Sequence, residues 1–174
     1  MTTVIFPGTF DPIHFGHINI AKRAAHLFDE VYVAVYAREQ SNILFSPQER
    51  LALVQETFKD HEKIHVVAYS GLTVKFAKKV GAQAIVRGLR VFSDFEYEFR
   101  MALANNRLES SIDVIALITN EEHTFLSSTT VREIAALGGD VSSMVPAHVE
   151  AALRKRFNVL GDDQEIVPLT SLRD

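Results

Sequence analysis

Five short apolar runs, separated by segments of helical periodicity, set the strongest limit on how this chain folds. Thr3–Phe6, Val31–Tyr36, Ile64–Ala68, Ala84–Val86 and Val114–Ile118 are each nearly continuous in apolar residues. Such runs read as strands covered on both faces, as in a parallel sheet. Helical segments lie between them, near 17–28, 47–58, 73–80 and 94–109. A β-α-β-α order joined by right-handed crossovers predicts an α/β domain.

The helical segments carry their own punctuation. In the first, Ile20, Ala21, Ala24, Ala25, Leu27 and Phe28 fall on one side at about 100° per residue, with Asn19, Lys22, Arg23, His26 and Asp29 on the other. Ser46-Pro47-Gln48-Glu49 combines an N-cap, a proline at the first helical position and a polar first turn. Gly138-Gly139-Asp140 stops a helix that starts near Ser128, and a last helix runs from about Pro146 to Phe157. The chain has 174 residues, and domains hold about 100–200. Residues 1–157 therefore read as a single domain with a C-terminal helical end, and 158–174 as a loosely held tail or packing arm.

The chain has no cysteine. That excludes a disulfide scaffold, a zinc–thiolate site and a cysteine nucleophile, and fits a reducing, cytoplasmic location. No apolar run approaches the ~20 residues that span a bilayer, and Thr2–Pro7 is too short and uncharged to open a signal peptide. A net charge of −4 gives no footprint for wholesale nucleic-acid binding, so neither nucleic acid nor membrane is an expected partner.

The chemistry concentrates after the first strand, in Pro7-Gly8-Thr9-Phe10-Asp11-Pro12-Ile13-His14-Phe15-Gly16-His17. Open α/β sheets bind ligands at such strand ends. Gly8 and Gly16 are expected to let backbone approach a ligand, and the helix N-terminus to offer unpaired N–H groups to phosphate. His14 and His17 add two imidazole donors. Metal binding competes with that reading, but no nearby carboxylate–histidine cluster completes a ligand set. Asp11 reads as a turn residue.

Gly8-Thr9-Phe10-Asp11-Pro12 followed by His14-Phe15-Gly16-His17 resembles the T/HxGH signature of the nucleotidyltransferase superfamily. Arg87-Gly88-Leu89-Arg90, Ser93-Asp94-Phe95-Glu96-Tyr97-Glu98, Phe125-Leu126-Ser127-Ser128-Thr129, and Gly139-Asp140-Val141 with Val145-Pro146 resemble segments of the bacterial phosphopantetheine adenylyltransferase family. The resemblance covers about residues 3–157 in one register. It implies a Rossmann-like, doubly wound parallel sheet and transfer of AMP from ATP to 4′-phosphopantetheine, with Mg²⁺. It also implies a homohexamer and coenzyme A as a possible feedback inhibitor.

A phosphomonoester nucleophile has a second pKa of about 6 and is largely dianionic at neutral pH. It needs no general base, so the task is alignment and charge stabilisation. The resemblance makes His17 the transition-state stabiliser. It assigns ATP to Thr9, Phe10, His14, His17, Gly88, Leu89, Arg90 and Glu98, and to the run His123, Thr124, Phe125, Leu126, Ser127, Ser128 and Thr129. The acceptor falls to Thr9, Ser41, Thr73, Arg87 and Asn105. No direct protein ligand to metal is implied. Read without the resemblance, Ser127–Thr129 and Thr73 are helix N-caps, Arg87 and Arg90 follow the fourth strand, and Asp94, Glu98, Met101 and Asn105 share one helical face beside an apolar stripe of Phe95, Phe99 and Ala102.

Two positions depart from the family pattern. Ser41 stands where a phosphate-binding lysine is expected, which makes Arg38 the candidate substitute, and His14 replaces the usual threonine. Another acceptor, such as nicotinamide mononucleotide or glycerol phosphate, and a non-catalytic nucleotide sensor are the rival readings.

Overall fold

The computed structural model describes residues 1–38 and 42–160. Five strands, β1 (Thr3–Gly8), β2 (Glu30–Tyr36), β3 (Ile64–Tyr69), β4 (Ala84–Leu89) and β5 (Asp113–Ile118), form one sheet in the order β3-β2-β1-β4-β5. Every neighbouring pair is parallel. The helices are α1 (Phe15–Leu27), α2 (Pro47–Phe58), α3 (Thr73–Lys79), α4 (Phe92–Leu108), α5 (Ser128–Ala136) and α6 (Ala147–Leu160), with a 3-10 turn at Glu121–His123. This is the doubly wound α/β arrangement, with the chain order reversing between β1 and β4.

The pleat divides the core. Val4, Phe6, Val31, Val33, Val35 and Val86 point to one face, where they pack against α1, α2, α5 and α6 through residues such as Ile20, Ala24, Val54, Val131, Val149 and Leu153. Ile5 and Ile85 point to the other, against Val74 and Ala77 of α3. Ser46 caps α2 in a reciprocal box with Glu49, and Gly138 takes a left-handed φ of 73° just past α5.

Three expectations change. The strands are not all covered on both faces: Ile118 of β5 is 74% exposed, and α4 has no buried residue. The stripe of Phe95 and Phe99 on α4 is exposed, although the two rings stack at 5.8 Å. Leu27, placed on the buried side of α1 by periodicity, is exposed as the last residue of the helix. The last helix also continues to Leu160, so the stretch beyond it that was read as a tail lies outside the described residues.

Candidate active site

β1 and β4 are neighbours, yet they pair only at Val4–Ala84 and Ile5–Ile85. Both strands continue, β1 to Gly8 beside β2 and β4 to Leu89 beside β5, without pairing further with each other. The sheet thus opens at its switch point, where ligands bind in open α/β folds. Four segments converge there and are cross-linked. Arg87 Nη1 donates to Pro7 O at 3.0 Å across the opening. Arg90 Nη1 donates to Leu126 O at 2.8 Å, and Ser128 Oγ to Pro12 O at 2.9 Å. Arg132 Nη1 reaches Asp11 Oδ2 at 3.2 Å.

His14 is the N-cap of α1, a role its sequence position did not suggest. Its Nδ1 accepts the His17 N–H at 3.4 Å, and the His17 Nδ1 accepts the His14 N–H at 3.3 Å. The rings stack with centroids 3.7 Å apart. A backbone amide can only donate, so both Nδ1 atoms carry lone pairs and both imidazoles are Nε2–H tautomers. Burial pushes the His14 pKa well below its usual range, and a proton there would also be repelled by one on His17, by Arg90 and by one on His123. Burial, then Arg90 and Arg87, push His17 down to about 3. The result is two neutral N–H donors fixed by the helix they cap.

The same contacts use up much of the α1 terminus. The Phe15 N–H bonds Met144 O at 2.9 Å, and the Ile18 N–H bonds His14 O at 3.1 Å. The expected row of free amides is therefore largely taken. At α5 the Ser127 hydroxyl accepts the Thr130 N–H at 3.0 Å, and no acceptor among the described residues takes the Ser128 and Thr129 amides. Those two are the better anion donors.

The loop glycines have a different reason from the expected one. A Cβ at Gly8 would sit 2.9 Å from the Phe10 ring, and one at Gly16 would sit 2.9 Å from His14 Cε1. Both glycines make room for the loop's own rings. Phe10 holds a left-handed φ of 53°, unfavourable for a bulky residue by about 1–2 kcal/mol. Its buried ring packs edge-on to His17 at 5.0 Å, so only its backbone can reach a ligand.

Arg87, Gly88 and Leu89 lie within β4 rather than after it, and only Arg90 follows the strand. Arg87 is bidentate on Glu98, at 2.8 and 2.6 Å. Burial works against its charge, but the Glu98 carboxylate prevails and its pKa is raised. Arg90 holds Asp94 at 3.1 and 3.3 Å, and Asp94 accepts the Arg90 N–H at 3.0 Å. Partial burial would raise the Asp94 pKa, yet the bonds from Arg90 hold it below the usual range. The face read as a carboxylate row on α4 is thus a pair of clamps on the two arginines.

Contacts at the opening join Phe10 to His17, His17 to His14, Arg87 to Glu98 and Pro7, Arg90 to Leu126, and Ser128 to Pro12. Leu126 is buried and its backbone is engaged, the N–H on His123 O at 3.1 Å and the carbonyl by Arg90, and Thr124 ends the 3-10 turn with its hydroxyl on Asn120 O at 3.3 Å. Phe125 is 60% exposed, free to cover a planar group. Thr73 opens α3, just after β3. It is not the N-cap of α3, which is Leu72, and its hydroxyl meets the Tyr69 hydroxyl at 3.1 Å. Asn105 is seven residues past Glu98, about 10 Å further along α4 at 1.5 Å per residue. Ser41 lies outside the described residues.

Sequence reasoning missed three members of the rim. Asp11 is no local turn residue: its carboxylate is buried and accepts the Leu44 and Phe45 N–H groups at 2.8 and 2.9 Å, and burial raises its pKa despite those bonds. Arg132 ties to the same residue, and Arg50 is wholly buried behind the loop. The one available signal was an arginine, Arg50, at a position α2 buries beside Val54; the others need three-dimensional contacts.

Residues 5–134 match the model of the cytidylyltransferase-like family. A phosphopantetheine adenylyltransferase of Desulfitobacterium hafniense (strain Y51) is 44% identical over 163 residues, 94% of this chain and 100% of that protein. One of Caldanaerobacter subterraneus subsp. tengcongensis is 48% identical over 157 residues, 90% of this chain and 98% of the other. A solved structure from Vibrio parahaemolyticus, described as a nicotinate-nucleotide adenylyltransferase, superposes with a TM-score of 0.67 at 22% identity over 88% of this chain and 99% of that one, a likeness of fold. The chain belongs to the cytidylyltransferase-like family and, within it, to the phosphopantetheine adenylyltransferases.

Proposed function

We infer that the protein transfers AMP from ATP to 4′-phosphopantetheine, giving dephospho-coenzyme A and pyrophosphate, in coenzyme A biosynthesis. The relatives' names supply the reaction. The observation that carries the chemistry is the pair of neutral Nε2–H imidazoles held at the open switch point by their own helix cap.

The acceptor phosphate attacks the α-phosphorus, a new P–O bond forms, and the bond to the bridging oxygen breaks to release pyrophosphate. His17 donates its Nε2–H to the phosphoryl oxygens as charge grows on them, and His14 holds the neighbouring phosphates. Neutral, His17 contributes one Nε2–H hydrogen bond and no full positive charge. Arg90, Gly88, Leu89 and Glu98 hold the nucleotide with His123–Thr129. Thr9 and Arg87 flank the acceptor phosphate, and Thr73 and Asn105 line the pantetheine arm. Arg38 takes the place of a lysine at Ser41, and Arg38→Ala then raises the acceptor KM. Mg²⁺ enters this reading with the triphosphate, as the Mg·ATP complex. No helix among the described residues is long and apolar enough to cross a membrane, and we place the enzyme in the cytoplasm. The exposed α4 face with Phe95 and Phe99 supports assembly, as a homohexamer, and coenzyme A is a candidate feedback inhibitor of the same crevice.

Pyrophosphate release from Mg·ATP tests the reading, with 4′-phosphopantetheine, nicotinamide mononucleotide and glycerol 3-phosphate run in parallel. Release with phosphopantetheine alone is expected, with a fall in kcat of about 10²–10³-fold for His17→Ala. Release with another acceptor overturns the substrate, and ATP binding without any release favours a sensor.

A further inference from the structure

Arg50 is the largest side chain with no exposure, 0%, among the described residues. It rises from the first turn of α2, and its guanidinium is spent on backbone carbonyls. Nη1 donates to Thr9 O and Tyr36 O, both at 2.7 Å. Nε donates to Phe45 O at 3.2 Å, and Nη2 to Arg38 O at 3.4 Å. The four acceptors lie on the loop after β1, on the segment leaving β2 and at the entrance to α2. Asp11 closes the same circuit from the other side, through the Leu44 and Phe45 amides, and its charge favours the arginine's.

A buried cation is a poor choice for stability alone, since apolar packing of similar volume does as well or better. What a guanidinium adds is a planar fork that fixes several acceptors at once. Here the acceptors are the rim segments on the β1–β2 side of the crevice. None of its bonds reaches the stretches 88–98 and 123–129, to which most of the nucleotide contacts are assigned. We propose that Arg50 is a positioning residue for the acceptor: it locks the Thr9 loop against the segment 36–38, so that the acceptor phosphate meets a rim already in place.

This rests on the functional reading above, and the test separates the two. Arg50→Met and Arg50→Lys are compared with wild type in the pyrophosphate assay, with calorimetric Mg·ATP binding and hydrogen exchange of the ligand-free proteins. A positioning role raises the acceptor KM at least 10-fold in Arg50→Met, by less in Arg50→Lys, and moves ATP affinity less than threefold. A merely structural role lowers kcat with the folded fraction and leaves KM unchanged, which overturns the proposal; so does a parallel loss of ATP affinity. If Arg50→Met does not fold, Arg50→Lys decides by the same split. If wild type does not turn over phosphopantetheine, the functional reading fails by itself. Exchange then decides for Arg50: faster exchange in 7–17 and 36–46 but not in α5 supports the lock, and no difference overturns it.

Discussion

The two sides of the crevice are built in opposite ways. On the β1–β2 side the loop is buried and each charged or polar group is committed inward: Asp11 to two amides, Arg50 to four carbonyls, His14 and His17 to each other. On the β4 side, Arg87 and Arg90 each donate to one backbone carbonyl, of Pro7 and Leu126, and their charges are met by Glu98 and Asp94 of α4, a helix with no buried residue of its own. The first side meets a ligand with a fixed shape. The second presents cations whose present partners are carboxylates that a phosphate can replace or share. A rigid wall facing an adjustable clamp suits a reaction that must align two phosphates and then release pyrophosphate.

The contrast can be broken most severely at Asp11. Asp11→Ala strands two buried amides and leaves Arg132 without its carboxylate, so a stability loss of about 3 kcal/mol or more is expected in urea unfolding. Acid attacks the same side next. The folded-state pKa values of His14 and His17 lie below the unfolded value near 6.5, so the unfolded chain binds more protons between pH 6.5 and about 3. Stability therefore falls as pH falls through that window. His17 alone accounts for roughly 1–2 kcal/mol between pH 6.5 and 5, readable as a drop in melting temperature that His17→Ala reduces.

The adjustable side should yield less. Glu98→Gln keeps one bond to Arg87 and is expected to cost about 1 kcal/mol of stability while changing the acceptor KM. A loss as large as that of Asp11→Ala would show the clamp to be as fixed as the wall. Smallest of all is Phe95→Glu with Phe99→Glu. It should leave the unfolding free energy of the single chain within about 0.5 kcal/mol, yet lower the mass measured by light scattering if α4 is an assembly face.

The parts of this arrangement that were legible in the sequence are those written locally. The valine and isoleucine runs of β1, β2 and β4 announce a parallel sheet because both faces are buried, and Ser46 with Glu49 announces the start of α2. The motif residues His14, His17, Arg90 and Ser127–Thr129 meet as expected, since the topology brings strand ends together. Contacts between residues far apart in the chain were not legible. Asp11 bonds to Phe45, 34 positions on, and nothing near Asp11 records that. Periodicity could not separate the exposed phenylalanines of α4 from core, because a face awaiting a partner has the same composition as a buried one. Gly8 and Gly16 looked like ligand-facing glycines, and only the rings of Phe10 and His14 reveal their steric reason.

The reciprocal cap of His14 and His17 also bears on which sequences can occupy this motif. A residue at position 14 caps α1 by accepting the amide three residues on, and in the proposed reaction it has a second duty, to face the phosphates. Threonine, the more usual occupant, meets the first duty through its hydroxyl as imidazole does through Nδ1. Alanine meets neither. The histidine–threonine alternation is then a swap between two acceptors for one helix amide, so His14→Thr should keep α1 intact and alter only the grip on the nucleotide. A signature known for its chemistry is, at this position, first a constraint on where a helix begins.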